Sequence, residues 1–494
     1  MNSVAEVFAS HVKENAEALC LAPHDKAAWT REQTWRLAEA FADKLYGAGA
    51  RQGGRVTVIV EKSPEAFLVY LACNLAGFVY HPANIAYTDN ELSYLISDAR
   101  PDVVICVPER EVSIAAMGSH TTLTLNQSGG GTFISASAAE RAPYTAAPDD
   151  WAALLYTSGT TGKPKGAMLS QGNLLSNALT LRNAWQFTNE DRLLHMLPIF
   201  HAHGLFVAGN TCLVAGAALL FEPAFNPDRF FQRIGEATSF MAVPTLYGRL
   251  LKDERLSADT VGHVRLFTSG SAPLDAVASD AFEVASGSRI LERYGMTETL
   301  MLTSNPYFEE RRAGTVGLPL PGVDLRLRKD DGEIANPGDI GIVEVSGPNV
   351  CRGYFNLPDK TEEAFTEDGY LITGDIGILS KDGYLTLQGR SSDMIISGGY
   401  NVYPREVENV LLDLDGIDEV AVFGIPHPDF GEGVVAVIVG DTDLSERGII
   451  ATSRERLANY KAPKRVLILD ELPKNAMGKV DRKILRTQFD RLLE

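Results

Sequence analysis

Five cysteines in 494 residues (Cys20, Cys73, Cys106, Cys212 and Cys351) are too few and too scattered for a disulfide framework or a zinc cluster. None belongs to a C-x-x-C pair and the number is odd, so a reducing cytoplasm is the expected setting. Basic charge is also short. Lys plus Arg number 45 against 64 Asp plus Glu, a net charge of −19, which argues against a nucleic-acid or anionic-membrane surface and leaves room only for a local basic pocket. Long apolar runs are nearly missing. The charge-free stretch "GLFVAGNTCLVAGAALLF" (204–221) is diluted by Asn210, Thr211 and glycines, and reads as a buried helix and strand, not a membrane span. The opening residues, "MNSVAEVFASHVKENAEALC", have no arginine and no signal-peptide core; an amphipathic helix is expected there. No G-x-S-x-G elbow supports serine-hydrolase chemistry.

What is present is the composition of a globular protein, 45% hydrophobic and 22% charged, long enough for two to four domains. Through the first two-thirds, helical patterns alternate with short β-rich runs: "RVTVIV" (55–60), a helix over 64–76, helix then strand over 91–107, and "WAALLY" (151–156). The same alternation continues as helix, strand, helix over 227–251 and strand then loop over 264–274. This predicts an α/β fold with largely parallel sheets, whose ligands sit beyond the carboxyl ends of strands. From about Gly314 short alternating runs punctuated by Asp-Gly (331–332, 368–369, 382–383) predict hairpins or a small barrel. After Arg390 come helix signals at 404–413 and 451–460, strands near 419–424 and 434–439, and a basic helix after Lys479. That is a small α+β domain, with "GRSSDM" as its boundary. The tract "QSGGGTFISASAA" (127–139) reads as an exposed loop.

Five segments carry chemistry. "YTSGTTGKPKGAML" (156–169) combines glycines, hydroxyls and the cations Lys163 and Lys165, types that cradle phosphate, although Thr157 and Pro164 break the Walker A pattern. A mobile surface loop is the plain alternative. "LERYGMTET" (291–299) sets an aromatic, Tyr294, beside a hydroxyl, Thr297, and a hard oxygen ligand for Mg²⁺, Glu298; a strand end with a helix cap would use the same types. In "YLITGDIG" (370–377) Asp375 could accept two hydrogen bonds from a ribose diol. "GRSSDMIISGGYNVYPREVE" (389–408) and "LPKNAMGKVDRKILR" (472–486) complete the set, the latter placing Lys479 after a glycine in a turn before a helix.

In this order and spacing the five segments resemble the adenylate-forming superfamily, which includes acyl-CoA synthetases, adenylation domains of peptide synthetases and luciferases. The resemblance spans essentially the whole chain. It implies a large N-terminal AMP-binding domain, 1–389, with a β-barrel-like part over about 314–389. A small mobile C-terminal domain, 390–494, follows, with the active site between the two. It also implies ATP, Mg²⁺ and CoA. A carboxylate attacks the α-phosphate of ATP to give acyl-adenylate and pyrophosphate, and the CoA thiol then displaces AMP. On these positions, Thr157, Ser158, Gly159, Thr160, Thr161, Gly162 and Lys163 would hold the β- and γ-phosphates. Thr297 would touch the α-phosphate and Glu298 would bind the metal. Tyr294 and the backbone of Gly270, Ser271, Ala272 and Pro273 would frame adenine, and Asp375 and Arg390 would bind ribose. Lys479 would bridge carboxylate and α-phosphate oxygens, where negative charge builds up in the transition state. Gly398 and Gly399 would line the pantetheine tunnel in the second half-reaction, and CoA's nucleotide end would meet Lys461, Lys464 or Arg465. The hinge position, commonly Asp or Lys, is Ser392 here.

The acyl pocket also has a signature. Many relatives have glycine before the adenine-side tyrosine, whereas this chain has Arg293. A permanent charge there calls for a second substrate carboxylate, or else for a protein partner such as Glu292 or Glu298. His203 in "PIFHAHGLF" matches the family's pocket-edge histidine, Ser271 replaces a frequent glycine, and Arg249 and Met301 are further candidates. His201 and His203 have no further ligand types nearby in sequence, so they are expected to serve pocket or packing, not zinc. The runs "LERYGMTETLMLTSNPY", "ERRAGTVGLPLPGV" and "GIPHPDFGEGV" are similar to malonyl-CoA synthetases, implying malonate and, one methyl larger, methylmalonate. A neutral-pocket monocarboxylate ligase and a catalytically silent nucleotide-binding protein are the competing readings. Small-molecule substrates, no nucleic-acid or membrane partner, and a monomer or homodimer are expected.

Overall fold

The computed structural model describes residues 1–157, 164–441, 445–474 and 479–493. The chain divides into two compact units, Met1–Leu325 with Val345–Leu371, and Arg326–Glu344 with Ile372–Glu494.

Among the described residues the first unit holds two sheets. The six-stranded sheet runs Thr121–Thr124, Val103–Cys106, Arg55–Ile59, Val79–Pro82, Trp151–Thr157 and Lys165–Ser170. Its neighbours are parallel except the last pair, which is antiparallel and brackets the phosphate-loop sequence. Ser158, Gly159, Thr160, Thr161, Gly162 and Lys163 lie outside the described residues. In the nine-stranded sheet the parallel centre runs Leu291–Met296, Leu266–Ser269, Ser239–Ala242, Arg192–His195, Ala218–Phe221 and Leu19–Pro23. Antiparallel strands flank it, Leu300–Ser304 and Leu318–Pro319 on one side and Trp29–Thr30 on the other.

Helix Pro64–Ala76 joins these layers. Ser63 caps it, Pro64 suits its first turn, and Gly77 ends it with a left-handed φ of 72°. Almost every side chain on it is buried, which a one-faced amphipathic helix would not show. Tyr70 meets Tyr80 of the six-stranded sheet, while Phe67 meets Phe221 of the nine-stranded one. The helix is therefore filled on both sides, and its uniformly apolar sequence follows from that. The charge-free stretch forms, as expected, a buried π-helical segment His203–Asn210, a helix Thr211–Ala215 and the strand Ala218–Phe221. Among the described residues no helix is long and apolar enough to cross a membrane. The tract at 127–139 departs from expectation. It contains a short helix, Thr132–Ser135, whose Phe133 is fully buried edge-on against Phe41. One aromatic among small polar residues was enough to anchor it.

In the second unit the expected barrel-like part is an open sheet. Its order is Asp324–Arg328, Ile340–Ser346, Leu371–Leu379, Leu385–Arg390, the first and last being edges. Asp-Gly turns at 331–332 and 382–383 do occur where hairpins were expected, with Gly332 at φ 87° and Gly383 at φ 88°. A further sheet pairs the long hairpin Ile417–His427 and Gly431–Gly440 with Ile395–Ser397, Tyr400–Val402 and the parallel strand Arg465–Ile468. Helices Pro404–Leu412, Glu446–Arg456 and Arg482–Gln488 belong to this unit. The middle one starts and stops earlier than the 451–460 expected. Ser445 caps it by accepting from Gly448 N–H, and Leu457 is already extended.

Candidate active site

Arg293 projects from the strand Leu291–Met296, whose parallel neighbour ends at Ser269. Gly270 follows at once, and its missing side chain is what accommodates the guanidinium. A Cβ at Gly270 would fall 2.1 Å from Arg293 Nη1. Arg293 is only 2% exposed. Its Nε and Nη2 atoms are buried with no hydrogen-bond partner among the described residues. Burial pushes the guanidinium down to about 9, with Tyr247 opposing the shift slightly. The two carboxylates that could have paired it are engaged differently. Glu292 Oε1 accepts from Gly314 N–H at 3.0 Å, and Glu298 Oε1 accepts from the Tyr354 hydroxyl at 3.0 Å.

Beside Gly270, Ser271 has φ 70°, a left-handed conformation that costs a side chain about 1 kcal/mol and explains why glycine would be the easier residue. Its hydroxyl lies 3.3 Å from Nδ1 of His203, the first residue of the π-helical segment. π-helical turns recur at functional sites because they displace side chains from the regular α-helical positions. Sequence-distant Arg293, Gly270, Ser271 and His203 thus form one chain of contacts. His201 lies against the ring of Phe200 instead. Arg249 is exposed and stacked over Phe225, with no hydrogen bond or ion pair to this cluster among the described residues. Met301 is buried, its methyl packed where a Cβ on Gly295 would stand.

Thr297 and Glu298 occupy a hairpin turn between Leu291–Met296 and Leu300–Ser304, not the cap of a helix. Glu298 is 5% exposed, and its carbonyl accepts from Cys351 N–H at 2.7 Å. The turn is pinned by two asparagines: Asn349 Nδ2 donates to the carbonyls of Thr299 and Met301, and Asn177 Nδ2 donates to that of Met301. Tyr354 also carries the ammonium of Lys165, 4.2 Å from its ring centroid, so one aromatic connects the phosphate-loop hairpin with Glu298. Tyr354, Asn349 and Asn177 were not identifiable from sequence, because their partners lie about 50 to 190 residues away and no motif encloses them. Tyr294 is buried, and Thr157 ends its strand with its hydroxyl toward the carbonyl of Lys165 at 3.4 Å.

In the second unit Asp375 and Arg390 are register partners on adjacent strands, joined by an ion pair of 2.7 Å. Gly398 and Gly399 form a two-residue hairpin turn, with Ser397 opposite Tyr400 and φ values of 61° and 80°. The turn needs a positive φ at both positions, which glycine adopts without strain. A Cβ on Gly398 would also press on Phe430 at 3.3 Å, whereas one on Gly399 would meet nothing. Ser392 sits in the short helical turn Ser391–Asp393. Two of the three basic residues expected to meet CoA are paired, Lys461 with Glu406 and Arg465 with Glu446, while Lys464 lies over the Phe430 ring.

The model for the AMP-binding enzyme family matches residues 8–355, and that for the AMP-binding enzyme C-terminal domain matches 406–479. The chain belongs to this family. Its members are the adenylate-forming enzymes, and this one is an acid–thiol ligase of the AMP-forming kind. The malonate–CoA ligase of Arabidopsis thaliana is 33% identical, covering 90% of this chain and 80% of its own. The oxalate–CoA ligase of the same plant is 35% identical over 92% of each. The crystal structure of ATP-bound MatB from Rhodopseudomonas palustris superposes with a TM-score of 0.97 at 44% identity, covering both chains completely.

Proposed function

We propose that this AMP-binding enzyme is a malonate–CoA ligase, with methylmalonate as a second substrate. One observation carries the reading: Arg293 is buried against Gly270, the chain neighbour of Ser271, with two guanidinium nitrogens unpartnered among the described residues. A buried cation without a counter-ion costs several kcal/mol, and a substrate with a second carboxylate offsets that cost through a bidentate pair. Ser271, which follows Gly270 in the chain, and its partner His203 add hydrogen-bonding groups to the same cluster. The malonate- and oxalate-named relatives are both ligases of short dicarboxylates, which supports the same class.

In the first half-reaction a malonate carboxylate oxygen attacks the α-phosphorus of ATP, and the bond to the bridging oxygen breaks to release pyrophosphate. In the second, the CoA sulfur loses its proton to solvent and attacks the acyl carbon, and AMP leaves with the electron pair of the C–O bond. Thr157 and the loop 158–163 bind the departing phosphates, Thr297 the α-phosphate, and Tyr294 with the 270–273 backbone the adenine. Asp375 and Arg390 bind the ribose. Glu298, a buried carboxylate, would hold Mg²⁺, which would neutralise phosphate charge. Lys479 stabilises the charge that develops as two anions meet. Gly398 and Gly399 serve the thioester step.

Arg293→Gly tests the substrate. The kcat/KM for malonate should fall about a hundredfold or more, the scale of losing one partner of a buried charge pair, while that for acetate changes only a few-fold. An unchanged ratio of the two sinks the dicarboxylate reading.

A further inference from the structure

The segment that follows Lys479 is held by an ion pair between a partly exposed arginine and a buried carboxylate that no motif role explains. Glu408, on helix Pro404–Leu412, is 2% exposed. Its Oε1 accepts from Arg482 Nη2 at 2.5 Å and from Val422 N–H at 2.9 Å. Arg482 Nε in turn donates to the Val422 carbonyl at 3.1 Å. Val422 lies on Ile417–His427, paired along one side only with Gly431–Gly440. Glu408 and Arg482 therefore occupy the open N–H and C=O of an edge strand, as a neighbouring strand would. The result is a closed lock of carboxylate, guanidinium and one peptide unit; burial works against the Arg482 charge, but pairing with Glu408 outweighs it and holds the guanidinium above its ordinary value.

Lys479 stands three residues before Arg482. Between them, Val480 bridges to Lys474, Asp481 N–H donates to the Pro473 carbonyl at 2.8 Å, and Asp481 caps the helix Arg482–Gln488. The two residues between the lock and Lys479 are thus each tied down by the backbone at 473–474. We infer that Glu408 and Arg482 are positioning residues for Lys479, required in adenylation and dispensable in thioester formation. The inference rests on the adenylation role proposed for Lys479. Charge stabilisation in a transition state depends steeply on placement, so loosening the lock lowers that step without touching substrate binding.

The test measures both half-reactions in Glu408→Gln and Arg482→Lys: malonate-dependent exchange of pyrophosphate into ATP, and thioester formation from supplied malonyl-adenylate. Exchange should fall roughly tenfold with KM for ATP unchanged, since a 1 Å displacement alone can cost about a hundredfold. Thioester formation should stay within about twofold of the parent. In a Lys479→Ala background, Glu408→Gln should slow exchange no further. Equal losses in both half-reactions, or an additional loss on the Lys479→Ala background, would overturn the inference. If one variant does not fold, as read by its melting curve, the other reports the same split. Should Lys479→Ala itself spare exchange, the proposed role of Lys479 fails. Should it split the half-reactions while neither lock variant does, only the positioning role fails.

Discussion

Arg293 and Arg482 are both arginines drawn away from bulk water, and they are stabilised in opposite ways. Arg482 lies against Glu408 and the Val422 carbonyl, and its charge is favoured there. Arg293 lies against the bare backbone of Gly270, with no carboxylate in contact among the described residues, and its charge is disfavoured. The first arrangement is complete within the protein and serves the protein's own geometry. The second is incomplete, and on the proposed reading a second substrate carboxylate completes it. A buried cation with its partner in the chain is architecture; a buried cation without one is a receptor.

The largest effect expected from breaking this comparison is at the paired site. Arg482→Met leaves the buried Glu408 carboxylate with only the Val422 N–H and the more distant Arg405, 3.8 Å away, and should lower stability by about 3 kcal/mol in urea melts. Arg293→Met should move the other way. Removing an unpaired buried charge should raise the stability of the ligand-free protein by about 1 to 3 kcal/mol at pH 7. The sign follows from the ordinary arginine value, near 12.5, against about 9 in the fold. Folding penalises the protonated form, so the penalty is full at neutral pH and shrinks as pH rises past about 9. The stability gap between variant and parent should narrow over the same range. Malonate selectivity should weaken there too, because the dicarboxylate needs the charged form. A Met variant less stable than its parent at pH 7 would contradict the picture. Ser271→Gly is the smallest perturbation. Relief of the left-handed φ should stabilise by about 0.5 to 1 kcal/mol, while loss of the hydroxyl beside His203 raises KM for malonate a few-fold. Calorimetry and steady-state kinetics on the same preparation would separate the two effects.

Much of this was legible in the chain. The helix Pro64–Ala76, the buried stretch at 204–221 and the alternation of strands and helices follow from local periodicity and from Ser63, Pro64 and Gly77 as start and stop signals. Asp375, Lys479 and Glu298 stand out in the sequence as candidates because their neighbours form ordered motifs. Tyr354 was not, since an aromatic in "CRGYFN" carries no mark of its partners Glu298 and Lys165. Phe133 was misjudged because a polar, glycine-rich context outweighed one buried ring. The barrel-like expectation was an overreach of the same kind: Asp-Gly turns specify hairpins, but nothing local specifies closure of a sheet.

By itself the sequence determined the family and the α/β alternation, because motif spacing and hydrophobic period are local properties of the chain. It also placed an arginine where many relatives carry glycine. Whether that arginine was paired could be decided only by the tertiary structure. Glu292 and Glu298 are its near neighbours in sequence, yet the fold gives them to Gly314 N–H and Tyr354. Electrostatic pairing depends on distances set by strand register and turn geometry, and those become definite only once the sheets have packed.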